Sequence, residues 1–199
     1  MCLKNIALIL LIIIHNLVMA QSHDQIEQRL NQSFQSIYAT PDSAVSKIND
    51  TIALSKSKNY KSGVNKGCLI KGIYFYEYND FDSALFYYTK VLTNSIKSND
   101  SLYIAKSYTN LGILYKSTSQ FDSSIHFQLK ALNIKKLLNG EPDEIAKCQH
   151  NLANVFLLTN DVDNFNSYIN KAEQNYSLAE NNIGLYHVNI SKGVYFNNN

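Results

Sequence analysis

The chain has 199 residues, enough to bury one or two cores, and its formal charge of +2 gives no nucleic-acid footprint. With 2 prolines and 7 glycines it is poorly suited to an all-β protein built on tight turns. Asparagine and isoleucine are abundant, which reads as a compositional bias of the source rather than a mechanism.

The N-terminal stretch "MCLKNIALILLIIIHNLVMAQSHD" carries Lys4, then an apolar run from Ile6 to Ile14, then small residues at Val18 and Ala20. That order is the pattern of a secretory leader, residues 1–20, with cleavage expected between Ala20 and Gln21. The run is shorter than the roughly 20 apolar residues of a membrane span, although an uncleaved anchor is the alternative. No cysteine follows the run at a lipid-anchor position, and Cys2 departs with the leader.

Beyond the leader, a first helix is expected over Asp24–Tyr38, with a partner opening at Pro41, where proline suits the first helical turn. The chain then repeats itself. "YNDFDSALFYYTKVL" from Tyr78 returns as "TSQFDSSIHFQLKAL" from Thr118 and as "TNDVDNFNSYINKAE" from Thr159. Upstream, Gly72, Gly112, Ala153 and Gly193 recur at intervals of 40, 41 and 40. Such a period marks a solenoid or array. Apolar residues at helical spacing divide each unit into two helices, for example Tyr108, Leu111, Leu114 and Tyr115, then Ile125, Leu129 and Leu132. The units run over about 24–57, 60–97, 100–138, 142–179 and a partial 182–196. The last lacks its second helix, which reads as a truncated solenoid end, since such ends need a polar cap.

Within each unit the second helix is expected to start at an N-cap, Asn79, Ser119 or Asn160. Asp82, Asp122 and Asp163, three residues on, complete a capping box and face the positive end of the helix dipole. Lys90, Lys130 and Lys171 are assigned to the negative end. Gly72 and Gly112 should let the paired helices close up against Ala84 and Ser124. Phe165 stands where other units have Ala44, Ala84 or Ser124, so looser or rotated packing against Ala153 is expected there.

These residues resemble the tetratricopeptide repeat. "YTNLGILYKSTSQFDSSIHFQLKAL" carries the family's aromatic at Tyr108, its Leu-Gly pair at Leu111 and Gly112, aromatics at Tyr115 and Phe121, and small residues at Ser124 and Ala131. The match is good over 66–97, weaker over 146–178 and partial at both ends, and the 40–41-residue period exceeds the family's usual 34. The resemblance implies an all-α right-handed superhelix of antiparallel helix pairs.

Candidate chemistry dissolves into the repeat. Asp82 recurs in every unit, whereas an active site needs convergent groups, and Asp80, replaced by Gln120, is assigned to solvent. His23, His126, His150 and His187 do not pair at metal-ligand spacing. Cys68 and Cys148 lie in first helices two repeats apart, too far for a disulfide. Phosphate loops, serine-nucleophile elbows and zinc-protease motifs are absent, so the chain reads as non-enzymatic, without metal or cofactor.

In the family, first helices line a concave binding face. Here its positions fall on Lys66, Leu69, Ile73 and Tyr76; on Lys106, Thr109, Asn110, Ile113 and Lys116; on Lys147, His150, Asn151 and Asn154; and on His187 and Ile190. Lys66, Lys106 and Lys147 share one register, which suits an acidic or carboxylate-ended peptide; the alternative is a solvated face. Asn110 and Lys147 match the family's carboxylate clamp, while Leu69 and Ile73 replace its polar groups. The resemblance therefore implies a protein- or peptide-binding scaffold. Exported arrays of this period with "PDSA" openings resemble the N-terminal sensory regions of Bacteroidetes signalling proteins. A free-standing periplasmic or secreted adaptor, or less readily a nutrient-binding component, are the other readings. For this segment no nucleic-acid partner is expected, and membrane attachment would come through the leader or a following region.

Overall fold

A computed structural model describes the backbone of residues 2–198 and the side chains of residue 13 and residues 18–195. Among these residues there are nine helices and no strand: α1 (Cys2–Gln35), α2 (Pro41–Ser57), α3 (Lys61–Glu77), α4 (Phe81–Lys97), α5 (Ser101–Ser117), α6 (Phe121–Leu137), α7 (Pro142–Leu158), α8 (Val162–Leu178) and α9 (Asn182–Asn198). The repeat is therefore an alternation of first helices (α3, α5, α7, α9) and second helices (α2, α4, α6, α8). The expected first helix ends at Gln35 rather than Tyr38 and runs back without a break to Cys2, through the segment expected to be a leader. No helix among the described residues is long and apolar enough to cross a membrane.

Helices α2 to α8 each have 17 residues. The cause of this uniform length is a repeated stop. Asn59, Asn79, Asn99, Ser119, Asn139, Asn160 and Glu180 all have left-handed backbone, with φ between 49° and 61°. At each, the amide bonds back three residues and the next amide bonds back five, as in Asn79 N–H to the Tyr76 carbonyl and Asp80 N–H to the Phe75 carbonyl. This is the Schellman arrangement, which satisfies carbonyls left over at a helix end. Asparagine visits the left-handed region more readily than other side chains. Five of the seven stops are asparagine, so part of the compositional bias has a structural use after all.

This finding corrects the expected caps. Asn79, Ser119 and Asn160 end the preceding helix instead of starting the next one. The starts lie one residue later, at Gln120 before α6 and Asp161 before α8. Asp161 and Asp100 accept hydrogen bonds from the amides of Asn164 and Tyr103, at 3.1 and 3.2 Å. Asp82, Asp122 and Asp163 do lie in the first turns, where the helix dipole favours acid. Pro41 opens α2 as expected, and Pro142 opens α7 in the same way.

The chain divides into two compact units between Asp80 and Phe81. In the first, α1, α2 and α3 pack together around Ile26, Leu30, Ile37, Ala44, Ile48 and Ile52, with Cys68, Leu69 and Ile70 from α3. In the second, each helix from α4 to α9 packs on its neighbour in sequence, because connectors of three or four residues turn it back. The single longer connector, residues 138–141, is the source of the 41-residue interval.

The seam between α5 and α6 shows how close the helices come. Ser124 Oγ donates to the Gly112 carbonyl at 2.7 Å, and a Cβ on Gly112 would meet the Gln128 side chain at 2.7 Å. Ser124 was the expected partner of Gly112; Gln128 is an additional one. Phe165 does not loosen the seam between α7 and α8. It is 1 % exposed, shares a core with Ala153, Leu152 and Ile169, and its ring centre lies 5.1 Å from that of Tyr195 on α9. Cys68 and Cys148 are thiols rather than a disulfide, and both are buried.

Candidate functional site

In the second unit the first helices α5, α7 and α9 lie side by side. Thr109 Oγ1 on α5 is 3.6 Å from Cys148 Sγ on α7. His150 Nε2 and Asn154 Oδ1 on α7 are 3.0 and 2.9 Å from Ser191 Oγ on α9. The structure thus brings Thr109, Asn110, Ile113 and Lys116 into one face with His150, Asn151, Asn154 and His187. Lys66, Leu69, Ile73 and Tyr76 belong to the first unit. Leu69 is a core residue there and presents no open surface.

The three lysines expected to form a cationic row are each engaged. Lys66 Nζ is 2.5 Å from Glu27 Oε2 and 2.7 Å from Asn31 Oδ1, both on α1. Lys106 Nζ lies 5.2 Å from the centre of the Tyr103 ring on its own helix. Lys147 Nζ reaches Asp143 at 2.5 Å and Glu144 at 3.0 Å, one turn back on α7. Asn110 turns its amide to the Lys106 carbonyl at 2.9 Å, a bond within its own helix.

Glu144 is shared. It also accepts from Lys135 Nζ at 3.0 Å, and Lys135 is buried where α2 and α4 carry Ser55 and Ser95. Burial raises the Glu144 carboxyl, but Lys135 and Lys147 more than offset it and hold it down at about 2. Burial, the largest single effect, also raises the Asp143 carboxyl, but hydrogen bonds from Lys147 and Asn181 and the Lys147 charge together hold it below the usual carboxylate range.

The centre of the face is different. Helices α5 and α9 contain no Asp or Glu, and the two acids of α7 are the first-turn residues just described. The half-buried Lys116 has no carboxylate partner among the described residues; burial alone pushes its ammonium down. His150 is pushed down to about 4, first by burial, then by His187 and Lys116. Its ring packs edge-on to Tyr176, with ring centres 6.1 Å apart. Ser191 and Tyr176 were not among the expected site residues. Ser191 could have been found by sliding Asn151 forward 40 residues; Tyr176 comes from a second helix, which that register does not sample.

The remaining repeated groups are architectural. Lys130 Nζ lies 5.4 Å from the Tyr108 ring centre and 6.0 Å from that of Phe127, while Phe127 stacks on Tyr115 at 5.3 Å. One repeat later Lys171 stands 5.1 Å from Tyr168, which stacks on Phe156 at 5.6 Å. Lys90 is 5.6 Å from the Phe86 ring centre and 6.0 Å from that of Tyr87. These lysines lie in mid-helix over aromatic rings, not at the negative helix end as expected.

Fold and site together define an all-α helical-repeat protein. Residues 105–136 match the tetratricopeptide repeat model, so the chain carries a tetratricopeptide repeat. No curated protein matches the sequence. Among solved structures, aspartyl phosphate phosphatase F from Bacillus subtilis aligns with a TM-score of 0.77 at 14% identity, over 86% of this chain and 45% of its own. This chain thus spans less than half the length of that protein. BtubC (BKLC) from P. vanneervenii aligns with a TM-score of 0.55 at 16% identity, over 89% of this chain and 85% of its own. At these identities the likeness is one of fold.

Proposed function

We propose that the chain is a non-catalytic scaffold that binds a protein or peptide on the face of α5, α7 and α9. In this reading it forms the extracytoplasmic sensory part of a signal-transduction protein. The observation that carries the binding reading is the face itself. Two neighbouring first helices, α5 and α7, hold half-buried polar side chains, Thr109, Asn110, His150, Asn151 and Asn154, and α9 joins them through Ser191 on a repeat framework. Rigid presentation lowers the ordering cost of capturing an extended segment. The leader-like N-terminus supports the location.

The test is selection of displayed peptides against residues 21–199, followed by binding to an Ile113→Glu, Asn151→Glu double variant. Selected peptides should lose at least tenfold in affinity for the variant. Equal binding to both proteins, or no selectable peptide, would sink the assignment of this face. Cell fractionation of a tagged chain checks the location: recovery in the cytoplasm would exclude a sensor outside it.

A further inference from the structure

The second unit exposes its aliphatic side chains unevenly. Its helices turn back on one another, so the ends of α4, α6 and α8 and the starts of α5, α7 and α9 share one edge, at the connectors 98–100, 138–141 and 179–181. Ile96, Leu102, Leu137, Leu138, Leu178 and Ile183 stand along that edge, each between 47% and 75% exposed. At the opposite edge, around residues 118–120 and 159–161, Leu158 is the only large apolar side chain exposed among the described residues. The strip also follows the repeat. Leu137 and Leu178 are the last residues of α6 and α8, and Leu102 and Ile183 are the second residues of α5 and α9.

Folding does not account for this strip, because an aliphatic side chain left in water contributes no burial. Exposed aliphatics scattered singly are ordinary, but six along one edge uncover roughly 600 Å², the upper end of the largest patches on monomers. With a polar rim the strip approaches the ~800 Å² that one partner contributes to a standard interface. Its two ends differ in charge. Lys97 closes α4 beside Ile96, and Glu180 lies two residues beyond Leu178. Both are exposed, and neither has an ion-pair partner among the described residues. Glu180 is also the one stop of the seven that is neither asparagine nor serine, so ending the helix does not call for its carboxylate.

We propose that this edge pairs two copies of the chain, antiparallel about a two-fold axis. Such an interface is isologous, with the same strip serving both sides. Reversing the order of the connectors sets Lys97 of each copy towards Glu180 of the other, at both ends of the contact. The aliphatic side chains form the dry centre and the charges the rim. The rim sets direction more than strength, since pairing in the same order would gather like charges at each end. The contact uses helix ends, so it does not depend on the mid-helix face of α5, α7 and α9, which the dimer would present twice.

The experiment is sedimentation velocity over a concentration series, on the full chain expressed with its own N-terminal stretch. The parent should show a monomer–dimer equilibrium. Leu137→Asn with Leu178→Asn, both at exposed positions, should weaken the dimer about tenfold or more while thermal melting stays unchanged. Leu158→Asn, at the opposite edge, should leave it intact. Lys97→Glu and Glu180→Lys should each weaken self-association about tenfold or more, because each reversal enters the contact twice. An equimolar mixture of these two variants should regain a dimer of parental strength, since each reversed charge then meets its complement. A parent that stays monomeric up to its solubility limit, a dimer unaffected by the paired leucine substitutions, or a mixture no tighter than its components overturns the proposal. A monomer that sediments with phosphatidylglycerol vesicles, and loses this with the paired leucine substitutions, would assign the strip to a lipid surface and overturn it as well.

Discussion

Gly112 and Gly193 occupy the same place in α5 and α9, yet their surroundings are opposite. At Gly112, the second helix α6 covers the glycine with Ser124 and Gln128. At Gly193 nothing among the described residues lies within 4 Å of where a Cβ would be. The same stretch of α9 leaves Ile183 and Tyr186 exposed at 72% and 63%, with Ile190 and Val194 also open. A first helix in this fold is therefore only half a structural element. Its small residue acquires a role when a second helix lies against it, and the repeat interface, not the helix, is the unit of stability.

The strongest challenge to this comparison is at the α7–α8 seam, where the small position has become Phe165. Phe165→Ala should cost about 3–5 kcal/mol in chemical denaturation, as expected for emptying a fully buried aromatic site. A cost below about 1 kcal/mol would mean the ring is not part of the seam. Next in size is a paired test. Gly112→Leu should destabilise by about 1–3 kcal/mol through overpacking against Gln128. Gly193→Leu should instead be neutral or gain up to about 1 kcal/mol from helix propensity. Equal melting temperatures for the two variants would erase the contrast.

A smaller effect is expected at the helix stops. Glu180 is in the left-handed region without the tolerance of asparagine or glycine. Glu180→Gly should raise stability by about 1 kcal/mol, read from the denaturation midpoint. No gain would mean that the stop is set by packing alone.

The smallest effect is a pH dependence. Glu144 is held at about 2 in the folded chain, below its unfolded value. Its contribution is therefore present above pH ~4.5 and disappears as the pH falls toward 2. The carboxylate is 43% exposed and screened, so the loss should be about 1 kcal/mol or less. Glu144→Gln should flatten that part of the stability profile. An unchanged profile would show that Lys135 gains nothing from the carboxylate.

The periodic part of the molecule was legible because every unit spends its residues on the same contacts. Phe81 and Phe121 return at helix starts, Gly72 and Gly112 return buried, and the all-α class followed directly. What escaped was set by backbone geometry or by neighbours outside the register. Left-handed backbone at Asn79 and Asn160 has no hydrophobic period, so a helix stop looked like a helix start. Lys66 looked free because its partners Glu27 and Asn31 lie on α1, ahead of the clear repeats. Lys90, Lys130 and Lys171 were placed by charge, whereas the rings beside them decide their position. For the face of α5, α7 and α9, the family resemblance pointed to His150 and Asn154 but not to Ser191, which joins them.

The repeated left-handed stop also gives the chain something like a reading phase. Excising residues 121–161 would join Gln120 to Val162 and carry the α5 stop straight into α8, a helix of the same kind as α6. A residue gained or lost inside a helix would turn the side chains beyond it by about 100° around that helix axis, whereas a connector can absorb one, as residues 138–141 do. The extra residue in the connector 138–141 must be counted in any such splice. Length variation in this architecture is thus quantised, with helix pairs added or lost whole.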